Sequence, residues 1–159
     1  MRRLAGIFIL VMSVASATHG QGLSVSFAGF DNEVTEPIEI AADAMSLDQD
    51  GGAALLEGNV VIGQGDLRLA APRVAVDYSE EGGISRIEAT GGVTVVTPNE
   101  EVEAAEALYT LADDVMVLSG NVLLTQGRSA VSASRMRVDL ATGTALLEGR
   151  VRTILQPAE

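Results

Sequence analysis

A chain of 159 residues with a formal charge of −12 is long enough for one domain with its own core. It is too acidic to hold nucleic acid by neutralising phosphates, or to adhere generally to an anionic membrane surface. It has no cysteine, lysine or tryptophan, and its one histidine is His19, so disulfides and most nucleophile–base pairs fall away.

The first twenty residues read as an export signal. Arg2-Arg3 form the positive region, Leu4 to Val14 an apolar run broken by Gly6 and Ser13, and Ala15-Ser16-Ala17 a small-x-small cleavage site. Cleavage is expected after Ala17 or Gly20, giving an exported, periplasmic protein; an uncleaved membrane anchor is the alternative. Residues 21–34 are expected to be a flexible N-terminal segment and residues 35–156 one domain.

One short pattern then occurs four times: Leu56-Glu57-Gly58-Asn59-Val60, Ala89-Thr90-Gly91-Gly92-Val93, Leu118-Ser119-Gly120-Asn121-Val122 and Leu147-Glu148-Gly149-Arg150-Val151. Its glycines lie 33, 29 and 29 residues apart, the mark of a periodic array. A second frame precedes each, beginning at Ala42, Ala71, Ala105 and Ala133. Turn-forming clusters separate the two: Asp48 to Gly52, Ser79 to Gly83, Ala112 to Asp114 and Ala141 to Thr144. Gly63 to Asp66, Thr97 to Glu100 and Gln126 to Arg128 join successive repeats. Each repeat is therefore a strand, a turn and a returning strand, and the fold class is all-β and antiparallel. Glu100 to Leu111 is the one stretch with a helical alternative, and its match to the strand frame argues against a helix.

Glycine inside a strand marks a bulge, a bend or a close backbone approach. Four at equivalent positions would bend every second strand at one level and curl the sheet into an open apolar trough. Alternation assigns sixteen inward positions: Ile38, Ile40, Leu56, Val60, Ile62, Leu67, Leu69, Val74, Val76, Val93, Val95, Leu118, Val122, Leu124, Met136 and Val138. They line either a plain packed core or a lipid-binding interior. In the last hairpin, a two-residue loop at Thr142-Gly143 would place Arg135 opposite Arg150 and Arg137 opposite Glu148. Opposed like charges destabilise a sheet, so an anion over the first pair would relieve it.

The charge is uneven. From residue 128 onward five arginines face three acids, whereas residues 21–127 hold three arginines and nineteen acids. Either a solvated surface simply varies along the chain, or one end of the molecule is complementary to the other or to a partner.

These repeats, with Pro37-Ile38-Glu39-Ile40 and Val117-Leu118-Ser119-Gly120-Asn121-Val122, resemble the OstA-like family of periplasmic lipopolysaccharide transport proteins typified by LptA. The resemblance covers roughly residues 35–155. It implies a single twisted β-jelly-roll of about sixteen short strands, and binding of the lipid A part of lipopolysaccharide in an apolar interior that Ile38 and Ile40 face. It also implies a bridge between an LptC-like inner-membrane protein and an LptD-like outer-membrane protein, with head-to-tail stacking of copies. No cofactor or metal is implied. Arg135, Arg137, Arg150 and Arg152 are the candidate anion contacts for a charged headgroup. Gly91-Gly92 and Gly149-Arg150 depart from the Gly-Asn pattern.

A conduit suits this composition. Burying acyl chains contributes about 0.8 kcal/mol per CH₂, roughly 9 kcal/mol for a twelve-carbon chain. A carrier must offer that lipid an interior nearly as apolar as a membrane. Small aliphatics leave room for chains, where bulky rings would plug the trough.

Other classes fit less well. Asp113-Asp114 and Glu80-Glu81 sit in turns, where solvated carboxylates are the default, so no enzyme is expected. Asp48-Gln49-Asp50-Gly51 resembles the start of a calcium loop but lacks a closing acid at the required position. Gly63-Gln64-Gly65-Asp66 is a lone fragment of a repeat-type calcium motif. A parallel β-solenoid or adhesion module would need uniform coils, and the variable spans here contain reversals. A membrane-anchored LptC-like relative of the same fold remains the other alternative.

Overall fold

The computed structural model describes residues 23–26, 36–48 and 51–155. The stretch read as an export signal, Phe27, Phe30 and Pro157 lie outside the described residues. Eleven strands form one antiparallel sheet: β1 (Leu23–Ser26), β2 (Glu39–Ala41), β3 (Ala44–Asp48), β4 (Ala53–Gln64), β5 (Leu67–Tyr78), β6 (Ile84–Val96), β7 (Glu100–Thr110), β8 (Val115–Gln126), β9 (Ser129–Asp139), β10 (Thr144–Glu148) and β11 (Arg152–Ile154). Strands β4 to β10 follow each other as a meander. β2 and β3 both lie on β4, β10 and β11 both lie on β9, and β1 adds to the outside of β10. The stretch with a helical alternative is β7, followed by a 3-10 turn at Leu111–Asp113.

The four glycine patterns form a line of bulges across the sheet. Pairing runs from Glu57–Arg73 to Val60–Ala71, so Gly58 and Asn59 together oppose Pro72. Gly91-Gly92 oppose Ala105 in the same way, and Gly120-Asn121 oppose Ser134. Both residues of every bulge have positive φ, from 47° at Asn59 to 99° at Gly92. The first position must be glycine, because an added Cβ on Gly120 would lie 2.6 Å from the Ala105 methyl carbon. The second accepts asparagine, which tolerates the left-handed region. Arg150, at φ 50°, occupies this position without that tolerance.

The bulges explain two departures from the sequence reading. β4 to β9 run 11 to 13 residues through the bulge line, so the described residues form eleven strands where about sixteen shorter ones are expected in the whole domain. The third frame begins at Ala104 rather than Ala105. Ala71, Ala104 and Ala133 are the buried residues before the bulge line, while Pro72 and Ala105 point outward and Ser134 is half-buried.

The bulge line divides the sheet into two halves. The upper half contains β1, β3, β10 and residues 53–57, 73–78, 84–90, 106–110, 115–119 and 135–139. The lower half contains β2, β11 and residues 60–64, 67–71, 93–96, 100–104, 122–126 and 129–133. Their inward side chains form one continuous cluster. Ile62, Leu67 and Leu69 of the lower half share a cleft with Ile87, Tyr109 and Met116 of the upper, so the two halves face each other.

Candidate functional site

Fourteen of the sixteen inward positions are buried in that cluster: Leu56, Val60, Ile62, Leu67, Leu69, Val74, Val76, Val93, Val95, Leu118, Val122, Leu124, Met136 and Val138. Alternation thus found the inner face. Among the described residues these side chains pack against one another, and the cleft at Ile62 holds about 20 Å³. That is room for about one water, whereas a dry cavity binding benzene needs about 150 Å³. An acyl chain enters this interior only if the halves part.

Ile38 and Ile40 stand apart from the other fourteen. Ile40 pairs with inward-facing Ile62 and is 37% exposed, because β2 is the outermost strand of the lower half. Ile38 is half-buried, packs on the core and lines the cleft. Together they mark where the inner face meets solvent. Met45 and Leu47 extend the same face along β3, opposite Leu56 and Ala54, and are 56% and 55% exposed. These two escaped the sequence reading, although Met45-Ser46-Leu47 alternates as a strand edge should.

The interior carries few polar anchors. Tyr109, a buried aromatic, donates its hydroxyl to Asp114 Oδ1 at 3.1 Å. Burial first, then the hydrogen bond and the negative charge of Asp114, push its pKa up to about 12. Glu100 is buried at the lower end of β7, on the face of Val102 and Ala104. Its carboxylate accepts from the Thr97 hydroxyl and from Gln126 Nε2 at 3.1 Å. Placing Glu100 in step with Val102 and Ala104 would have revealed it.

All four candidate arginines are exposed on the outer face. The register corrects the last hairpin: Thr144 pairs with Asp139, not with Ala141, so Arg135 faces Glu148 and Arg137 faces Leu146. The reason is a longer loop, in which Asp139 Oδ1 accepts the Thr142 N–H at 2.9 Å and the Leu140 N–H reaches the Asp114 carbonyl at 2.8 Å. The repulsive Arg135–Arg150 pair therefore does not form. Arg150 and Arg152 do come together, in an outer groove of about 510 Å³ with Asn121, Leu123, Ser132, Ser134 and Val151. Arg135 lies in a separate groove with Arg86, Glu88 and Glu106. No cluster suited to a metal ion occurs among the described residues.

A bent antiparallel sheet with an aliphatic interior and exposed strands at its margins defines the class as a single-sheet all-β domain. The chain belongs to the LptA/(LptD N-terminal domain) LPS transport protein family, whose model matches residues 39–144. An uncharacterized protein of Rhizobium meliloti (strain 1021) is 28% identical over 156 residues, spanning 91% of this chain and 84% of the relative. The lipopolysaccharide export system protein LptA of Haemophilus influenzae is 28% identical over 167 residues, spanning 96% and 91%. The crystal structure of LptH, the LptA-homologous periplasmic component of the lipopolysaccharide transport device of Pseudomonas aeruginosa, superposes with a TM-score of 0.70. That match is 19% identical and covers 80% of this chain and 99% of that one, which shows a shared fold.

Proposed function

We propose that this protein is a periplasmic lipopolysaccharide-binding transport protein that shuttles or bridges its lipid between the inner and outer membranes. On this reading residues 1–20 are removed on export, residues 21–34 contribute β1 and lead into the fold, and β1 with residues 35–156 forms one jelly-roll-like domain. The observation that carries the proposal is an aliphatic interior whose inner face meets solvent along the β2–β3 margin, at Ile38, Ile40, Met45 and Leu47. Acyl chains enter there and spread the halves apart, replacing side-chain contacts with lipid contacts of similar polarity. The sixteen inward residues then line the lipid. Arg150 and Arg152 act as headgroup or partner counter-charges from outside, with Arg135 and Arg137 further along the same face.

The sheet margins support end-to-end stacking, and pairing with LptC-like and LptD-like partners. β3 and β10 each have five residues, β2 and β11 each have three, and both margins are interrupted at the bulge line. Laid side by side, β2–β3 of one copy and β10–β11 of another run antiparallel, with Asp43 beside Gly149-Arg150. Exposed strand margins recruit other strands, and the acidic margin (Glu36, Glu39, Asp43, Asp48) complements Arg150 and Arg152.

Mass spectrometry of lipid co-purified from a lipopolysaccharide-producing host tests the transport reading. Lipopolysaccharide is expected in a fixed ratio to protein. Protein free of lipid, or carrying only phospholipid, would contradict it.

A further inference from the structure

β1 occupies part of the margin that stacking requires. Leu23 lies opposite Leu147, Ser24 opposite Leu146, Val25 opposite Ala145 and Ser26 opposite Thr144, so four of the five β10 residues are already paired. The outer side of β11 carries no strand among the described residues. A second copy could therefore meet β11 directly, but could add to β10 only by removing β1.

We propose that β1 is a self-cap, an intramolecular strand that competes with an incoming copy for the β10 margin. The inference rests on the end-to-end reading above. Nine residues, 27–35, join β1 to the described chain that resumes at Glu36. Being part of the same chain, β1 competes at an effective concentration on the order of mM. A four-residue edge strand has few ladder hydrogen bonds, so it opens readily. The cap thereby keeps dilute protein from polymerising through an open edge, and yields where partners are concentrated at an assembly site.

The chain has no cysteine, so a Ser24→Cys/Leu146→Cys pair makes a single disulfide that locks the cap. The mature locked protein, the same protein after reduction, and a variant lacking residues 23–26 are compared by sedimentation across a concentration series. The locked form is expected to stay monomeric, the reduced form to associate, and the shortened variant to associate at about tenfold lower concentration. Reductant should restore association to the locked form, and co-purified lipopolysaccharide should be unchanged in all three. Equal association of the three forms, or failure of the intramolecular disulfide to form, overturns the cap while leaving stacking intact. Absence of association in every form overturns stacking and the cap together, whereas absence of lipid strikes the transport reading instead.

Discussion

The upper and lower halves share one core and one repeat, yet their margins are built differently. The upper half is bordered by the five-residue β3 and by β1, and is tied by Tyr109–Asp114 and the Leu140–Asp114 backbone bond. Its outer face carries the Arg73–Glu57 and Arg86–Glu88 ion pairs, both exposed and each contributing little. The lower half is bordered by two three-residue strands, β2 and β11, and exposes Ile40, Val61, Val96, Leu123 and Ile154. Short margins hold few ladder bonds and open at low cost. On the proposed transport reading, the upper half keeps the register and the lower half admits the lipid.

The bulge line that joins the halves is where the largest effect is expected. Gly120→Ala should destabilise by about 3 kcal/mol, since it adds a clash with Ala105 to a left-handed backbone. At Gly92 an added Cβ meets nothing within 4 Å, so Gly92→Ala should cost only about 1–2 kcal/mol. Urea denaturation of the two variants separates steric from conformational cost. Equal losses would mean that close approach at the bulge is unimportant.

The upper anchor is tested by Tyr109→Phe, expected to cost about 1 kcal/mol at neutral pH. In the native protein the Tyr109 pKa lies near 12, against an ordinary value of 10.0. Its contribution is complete below pH 10 and is lost as pH rises toward 12, because the unfolded phenol ionises first. The alkaline fall in melting temperature should therefore be shallower in Tyr109→Phe. Parallel curves would remove Tyr109 as the titrating group.

Arg150→Asn addresses the opposite margin with a smaller effect. Asparagine suits φ 50°, as Asn59 and Asn121 show, so stability should rise by about 0.5–1 kcal/mol. If Arg150 is kept for its charge, the same change should weaken self-association, and more so at low salt. A destabilised variant would mean that its 3.4 Å contact from Nε to Ser134 Oγ outweighs the backbone strain.

What was legible in the sequence follows the same division. The four glycine repeats disclosed the strands, their antiparallel order and nearly the whole inner face, because alternation and bulge glycines are local signals. The closeness of the packing was not legible. Val, Leu and Ala at alternate positions describe a hollow trough and a packed core equally well, and only the spacing of the halves decides between them. The Arg135 register was missed because the Asp139 side chain lengthens its loop, through a contact that turn composition alone does not specify. β1 was missed because Leu23 to Ser26 is too short to show a period, and only its pairing with β10 makes it a strand.

Site-specific photo-crosslinking in living cells tests most directly whether the lower margin is the entrance. A crosslinker at Ile38 or Ile40 is expected to capture lipopolysaccharide, with weaker capture at buried Ile62 and none at Glu39 or on the outer face at Glu103. Capture from Glu39 and Glu103 equal to that from Ile38 would contradict an interior route, and no capture from Ile38, Ile40 or Ile62 would contradict lipid entry altogether.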